Sequence, residues 1–178
     1  MERLAELPAA AGQGKEFAFL TVHLRDIELL VPVTWDRRPL SGPLYFRAVA
    51  VLERLSRRFP DAPGVRRLLA IRRGILGSYL HDVGRSEEGE PEFRAAVGIF
   101  EELCRSYPEL PEYPHELAHT HMFLGQLLED RRRPGEAAAS YERAETLLAR
   151  LVSQAPAVLR YAEDLARARA RLSAVRGG

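Results

Sequence analysis

The chain has 178 residues, 46% of them hydrophobic, with 26 basic against 25 acidic side chains and a formal net charge of +1. That length holds one domain or a short array of repeats, and the balanced charge excludes a global field drawing the chain onto nucleic acid or an anionic membrane. The single Cys104 excludes an internal disulfide and a cysteine-rich metal site.

At the N-terminus, MERLAELPAAAGQGKEF mixes acids with bases and has no long apolar core, and FAFLTV is too short to span a bilayer. A cytoplasmic, reducing location is therefore expected. The stretch EFAFLTVHLRDIELLVPV reads either as an eroded helix or as two short strands around Arg25-Asp26, with the helix preferred. Pro32, Pro39, Gly42 and Pro43 mark residues 32 to 43 as a loop carrying Trp35, a packing anchor.

From residue 44 onward the chain repeats itself. Phe59-Pro60, Tyr107-Pro108 and Ala155-Pro156 recur at an ungapped offset of 48 residues. The same offset carries Leu69-Ala70 onto Leu117-Ala118 and Leu165-Ala166, Leu76-Gly77 onto Leu124-Gly125, and Leu55 onto Leu103 and Leu151. Tyr45, Phe93 and Tyr141 coincide, as do Ala48, Ala96 and Ala144. The predicted organisation is an N-terminal segment, 1–43, and a repeat domain, 44–178, with units at about 44–60, 61–108, 109–156 and 157–178.

Each complete unit reads as two helices. In the first, a helix from about Val65 to Val83 is ended by Gly84, and a second is expected to start near Pro91, a residue tolerated at a first helical position. In the second, Leu117, Phe123-Leu124 and Leu127-Leu128 recur at three- and four-residue steps, Arg133-Pro134-Gly135 interrupts, and Ala137, Tyr141, Ala144, Leu148 and Leu151 form another stripe. Residues 157–176, with Tyr161, Leu165, Leu172 and Val175 on one side, predict an Arg-rich C-terminal capping helix.

These residues resemble the tetratricopeptide repeat. The second copy supplies Leu124-Gly125, Leu128, Ala137, Tyr141 and Ala144, and the first Leu76-Gly77, Leu80, Phe93 and Ala96. The long 48-residue period looks like the variety in the repeat regions of bacterial serine/threonine kinase-type regulatory proteins, although no kinase motif is present in this chain. Departures are Arg73 and His121, where the motif prefers Trp, and Gly89, where it prefers Ala. The resemblance implies an all-α, right-handed α-solenoid of antiparallel helical hairpins.

One motif points elsewhere. His115-Glu116-x-x-His119 places two imidazoles about 40° apart around a helix with a carboxylate beside them, the beginning of a zinc hydrolase site. A third ligand is wanted, and Glu129, Glu136, Glu142 and Asp164 offer themselves without any motif around them. The repeat supplies a simpler reading, because Leu117-Ala118 is its structural signature and Glu116 occupies a column of varying residues. The expected assignment is therefore no enzyme, no cofactor and no resident metal, with a metal-dependent hydrolase as the alternative.

In the resembled family the first helices line a concave groove. Carried over by column, the groove contacts are Arg67, Ile71, Gly74, Ser78 and His81, then His115, His119, Met122, Gln126 and Glu129, then Arg167 and Ala170. The Lys and Asn pair of the family's carboxylate clamp is missing. The resemblance implies a protein-binding or scaffolding module whose partner is another polypeptide, with self-association open. An RNA-binding helical repeat is a further alternative, weakened because the Arg clusters are interleaved with acids and lack aromatics for stacking.

Overall fold

The computed structural model describes residues 42–177. The chain divides into two compact units, Met1–Leu44 and Tyr45–Gly178. The expected N-terminal helix or strands and the Trp35 loop lie outside the described residues. The only part of that loop to be described, Gly42 and Pro43, forms the first turn of a helix, where proline's missing amide hydrogen has no partner to lose.

All six described elements are α-helices, and there is no strand among the described residues. They are α1 (Gly42–Arg58), α2 (Pro63–Asp82), α3 (Ser86–Ser106), α4 (Glu112–Asp130), α5 (Pro134–Gln154) and α6 (Leu159–Gly177). The all-α expectation holds. The sequence offset is written into the boundaries, since α3 and α5 both start and end 48 residues apart.

The turns repeat as well. After α2, Arg85 N–H bonds the Leu80 carbonyl at 2.7 Å and Gly84 takes φ 79°; after α4, Arg133 N–H bonds the Leu128 carbonyl at 2.9 Å and Arg132 takes φ 56°. Both are six-residue closures around one left-handed residue, the common way to stop a helix. Between units, Phe59, Tyr107 and Ala155 each donate four residues back, to Leu55, Leu103 and Leu151.

One boundary differs from expectation. α3 begins at Ser86, not near Pro91, and Pro91 lies inside it. Glu87 and Glu88 in its first turn complement the positive end of the helix dipole. Pro91 faces solvent, where water can reach the carbonyl deprived of its amide partner.

Consecutive helices α2 to α6 pack against one another, and the first helices of neighbouring units also touch, α2 on α4 and α4 on α6. Within each hairpin the Leu-Gly signature explains the close approach. The Phe93 ring lies over Gly77 and the Tyr141 ring over Gly125, so close that an added Cβ would lie 2.9 Å and 2.7 Å from those rings. Both aromatics are almost wholly buried.

The core is shared between units. One cluster joins Ala70, Ala96, Phe100, Leu103, Tyr113 and Leu117 from α2, α3 and α4. Another joins Ala118, Ala144, Leu148, Leu151, Tyr161, Leu165 and Ala168 from α4, α5 and α6. Each fully buried leucine contributes about 1.5–3 kcal/mol, so neither hairpin keeps its burial without the next. On α6, Ala166 is exposed although its equivalents Ala70 and Ala118 are buried, because no further helix covers it among the described residues.

Candidate functional site

The first helices carry every groove contact expected from the sequence, and the structure sorts them into two groups. Several are engaged between helices. Arg67 on α2 donates to Glu116 on α4 at 3.0 Å, and His81 at the end of α2 pairs through Nε2 with Asp130 at 3.0 Å and through Nδ1 with Ser86 at 2.9 Å. Glu129 accepts from the Tyr141 hydroxyl at 2.9 Å. Arg167 pairs within its own helix, with Asp164. Ile71 and Met122 are half-buried against core clusters. The rest are more open: Gln126 and Ala170 are exposed, Ser78 is half-buried, and a Cβ added to Gly74 would meet no atom within 4 Å.

His115 and His119 converge on one atom. The Nε2 atoms of both rings lie 2.7 Å and 2.8 Å from the same oxygen, Oδ2 of Asp164 on α6. The two rings meet edge to face with centroids 4.6 Å apart, and Tyr161 packs against His115 with a centroid separation of 5.0 Å. The other carboxylate oxygen, Oδ1, takes Arg167. Asp164 is 4% exposed, which makes it a buried acid on an otherwise solvent-rich helix.

The electrostatics follow from that packing. Burial alone would push the Asp164 carboxyl up, but donors from His119, Arg167 and His115 outweigh it and hold it down at about 2. Burial lowers the pKa of His115, against the pull of Asp164. His121, two residues on, takes no part in the cluster. It is 8% exposed in the column where the motif prefers Trp, and burial, helped by Arg143, depresses its pKa to about 4. A surface cleft of about 350 Å³ between α3 and α5 opens over it.

Asp164, one of four acids that the sequence offered as a third ligand without a motif to choose among them, is the one that the structure brings to both histidines. The signal was available in the 48-residue register. Arg67 and His115 share a column, and so do Glu116 and Asp164, so Arg67–Glu116 and His115–Asp164 are one contact made twice. In each case a basic side chain on a first helix meets an acid on the first helix of the next unit. The glutamate of His115-Glu116-x-x-His119 is therefore the inter-unit acid of α4, held by Arg67. Arg67 reaches Oε1 of Glu116, so the motif's carboxylate is tied to α2 rather than to the histidines.

Among the described residues, His115, His119 and Asp164 are the one group of three ligand-type side chains whose donor atoms lie close together, all within 4.8 Å of one another. No described helix is long and apolar enough to cross a membrane. No protein-family model matches the chain, and a search among curated proteins finds no match.

Proposed function

We propose that the chain is a non-catalytic interaction or scaffolding module, a short right-handed tetratricopeptide-like stack that holds an extended polypeptide along its first helices. The observation that carries this reading is the use made of Glu116. It serves as the acid of a repeated helix-to-helix contact, so the peptidase-like motif is absorbed by the architecture. The Gly77–Phe93 and Gly125–Tyr141 contacts support the same reading, because they give the small residues of the repeat their task.

The binding face runs along one repeat column, Gly74, Met122 and Ala170, flanked by Ser78 and Gln126. The small residues Gly74 and Ala170 flank Met122 in that column, which suits an apolar anchor, and Gln126 is exposed to meet a peptide backbone. Arg67, His115 and Arg167 already face acids, which lowers their value for an acidic ligand. A cytoplasmic setting suits the reading.

A peptide-library screen on the purified chain tests it. Bound sequences should lose affinity at least about tenfold with Met122→Glu and change little with Ala139→Glu, placed on the exposed side of α5. Equal losses from both substitutions, or none from the first, overturn it.

A further inference from the structure

We propose that His115, His119 and Asp164 bind a divalent transition-metal ion of the zinc class, which clips α6 to α4. Three features carry the assignment. The donor set is two imidazole nitrogens and one carboxylate oxygen, a set that suits zinc, cobalt and nickel and disfavours magnesium and calcium, which take oxygen ligands. The two histidines lie one helical turn apart and present the same ring atom, Nε2, to a single point. That point is occupied by an aspartate 4% exposed, delivered by a different helix and already fixed by Arg167 through its other oxygen.

The change needed to admit an ion is confined to side chains. Zinc bonds of roughly 2.0–2.2 Å in a tetrahedral arrangement hold neighbouring ligand atoms about 3.3 Å apart. Oδ2 therefore has to retreat from each Nε2 by about half an ångström, and the two Nε2 atoms, within 4.8 Å of each other, have to close to the same spacing, by side-chain rotations alone. Each ring must also carry its proton on Nδ1 rather than Nε2, a tautomer change that needs no new group. His119 has a third of its side chain exposed, at 32%, which leaves a solvent-facing position for a water as fourth ligand.

The neighbourhood sets limits on what this ion does. Arg160 and Arg167 both lie near the cluster, so the ion meets two cations and affinity falls in the micromolar class rather than that of a closed structural site. Glu116 is engaged with Arg67 and lies outside the donor set. The ion acts as a fastener, joining residues 45 and 49 positions apart in the sequence and holding the terminal helix, whose surface is mostly polar.

Zinc titration of the untagged full chain after chelator treatment tests this, read by calorimetry and by thermal unfolding, with magnesium as control. One equivalent of zinc should bind, and saturating zinc should raise the melting temperature by roughly 5–10 °C, with no rise in magnesium. His119→Ala and Asp164→Asn should each weaken zinc at least about tenfold. Glu116→Gln should leave zinc affinity unchanged. Circular dichroism checks that each variant is folded; His119→Ala, which removes a partly exposed side chain, keeps the test open if Asp164→Asn unfolds. Absence of stoichiometric zinc binding at 100 μM protein, taken as roughly 100 times the expected dissociation constant, overturns the proposal. So does binding that survives a His115→Ala/His119→Ala double substitution, or that Glu116→Gln weakens as much as His119→Ala does.

Discussion

The hairpins α2–α3 and α4–α5 are built on one plan and differ at a few columns, and those differences separate what the repeat requires from what each copy adds. Both lay an aromatic ring over a glycine, Phe93 on Gly77 and Tyr141 on Gly125. Both close with a left-handed residue, Gly84 in one and Arg132 in the other. They part at Gly89 and its equivalent Ala137. Ala137 is fully buried and accommodated, whereas a Cβ on Gly89 would lie 2.7 Å from the carbonyl oxygen of Gly77. They part again at the contact to the next unit, a part-exposed Arg67–Glu116 pair against a cluster in which two part-buried histidines share the buried Asp164. The backbone geometry is the constant, and side-chain chemistry varies around it.

The largest expected effect tests the closer approach in the first hairpin. Alanine is favoured over glycine in a helix by about 1 kcal/mol, yet the Gly77 carbonyl is backbone and cannot rotate aside, and overpacking of this kind costs about 1–3 kcal/mol. Gly89→Ala should therefore destabilise the chain by up to about 2 kcal/mol in urea denaturation, despite restoring the residue the motif prefers. Ala137→Gly, at the equivalent position, should lose about 1–2 kcal/mol, from backbone entropy and the lost burial of its methyl group. A stabilised Gly89→Ala would mean that the hairpins are closer in geometry than described.

The two inter-unit contacts should separate almost as well. Asp164→Ala strands two half-buried imidazoles and should cost about 2 kcal/mol in metal-free protein, whereas Glu116→Ala breaks a half-exposed pair and should cost below about 0.5 kcal/mol. Chemical denaturation of both variants in parallel checks the ratio.

A third difference is Glu90, buried on α3, where the equivalent residue on α5 is Ala138. Glu90 accepts from Arg94 at 2.7 Å, from Arg133 at 2.6 Å and from Arg131. Burial opposes its ionisation, but Arg94 and Arg133 prevail and its carboxyl is held below the usual range. A lowered carboxyl contributes stability that is present above the ordinary glutamate pKa and lost as pH falls through the folded value. Glu90→Gln should cost about 1–2 kcal/mol near neutral pH, discounted because the arginines are partly exposed, and should flatten the acid side of the stability profile. Unfolding midpoints measured from neutral pH down to the acid limb give both readings.

The smallest effects lie at the turns. Left-handed backbone is strained for arginine by about 1 kcal/mol, so Arg132→Gly should gain about 0.5–1 kcal/mol, while Gly84→Ala should lose about 1 kcal/mol. Thermal scans of the pair should move in opposite directions.

The helices α2, α4, α5 and α6 were legible in the sequence because their apolar spacing and their Gly and Pro stops agree across copies. The start of α3 was not, because Pro91 reads locally as a first-turn residue and only its solvent-facing place in the fold makes an interior proline tolerable. Gly89 looked like a lapse from the motif, and only the distance to the Gly77 carbonyl gives it a reason. At the candidate site, His115 and His119 announced themselves by their spacing. Asp164 did not, since a contact between residues 45 or 49 positions apart leaves no local pattern. It becomes visible once its column is read against Glu116.

That shared column gives the stack a direction. Of the first helices only α4 offers both a base forward, His115, and an acid backward, Glu116, since α2 carries Leu68 in the acid column and α6 Glu163 in the base column; the unit 109–156 is thus keyed like a link with unlike ends. Splicing a second copy of residues 109–156 behind the first would set His115 and His119 of one copy against Glu116 of the next. The duplicated junction would set the same two imidazoles against glutamate in place of aspartate, and the number of such clusters would count the copies of that unit.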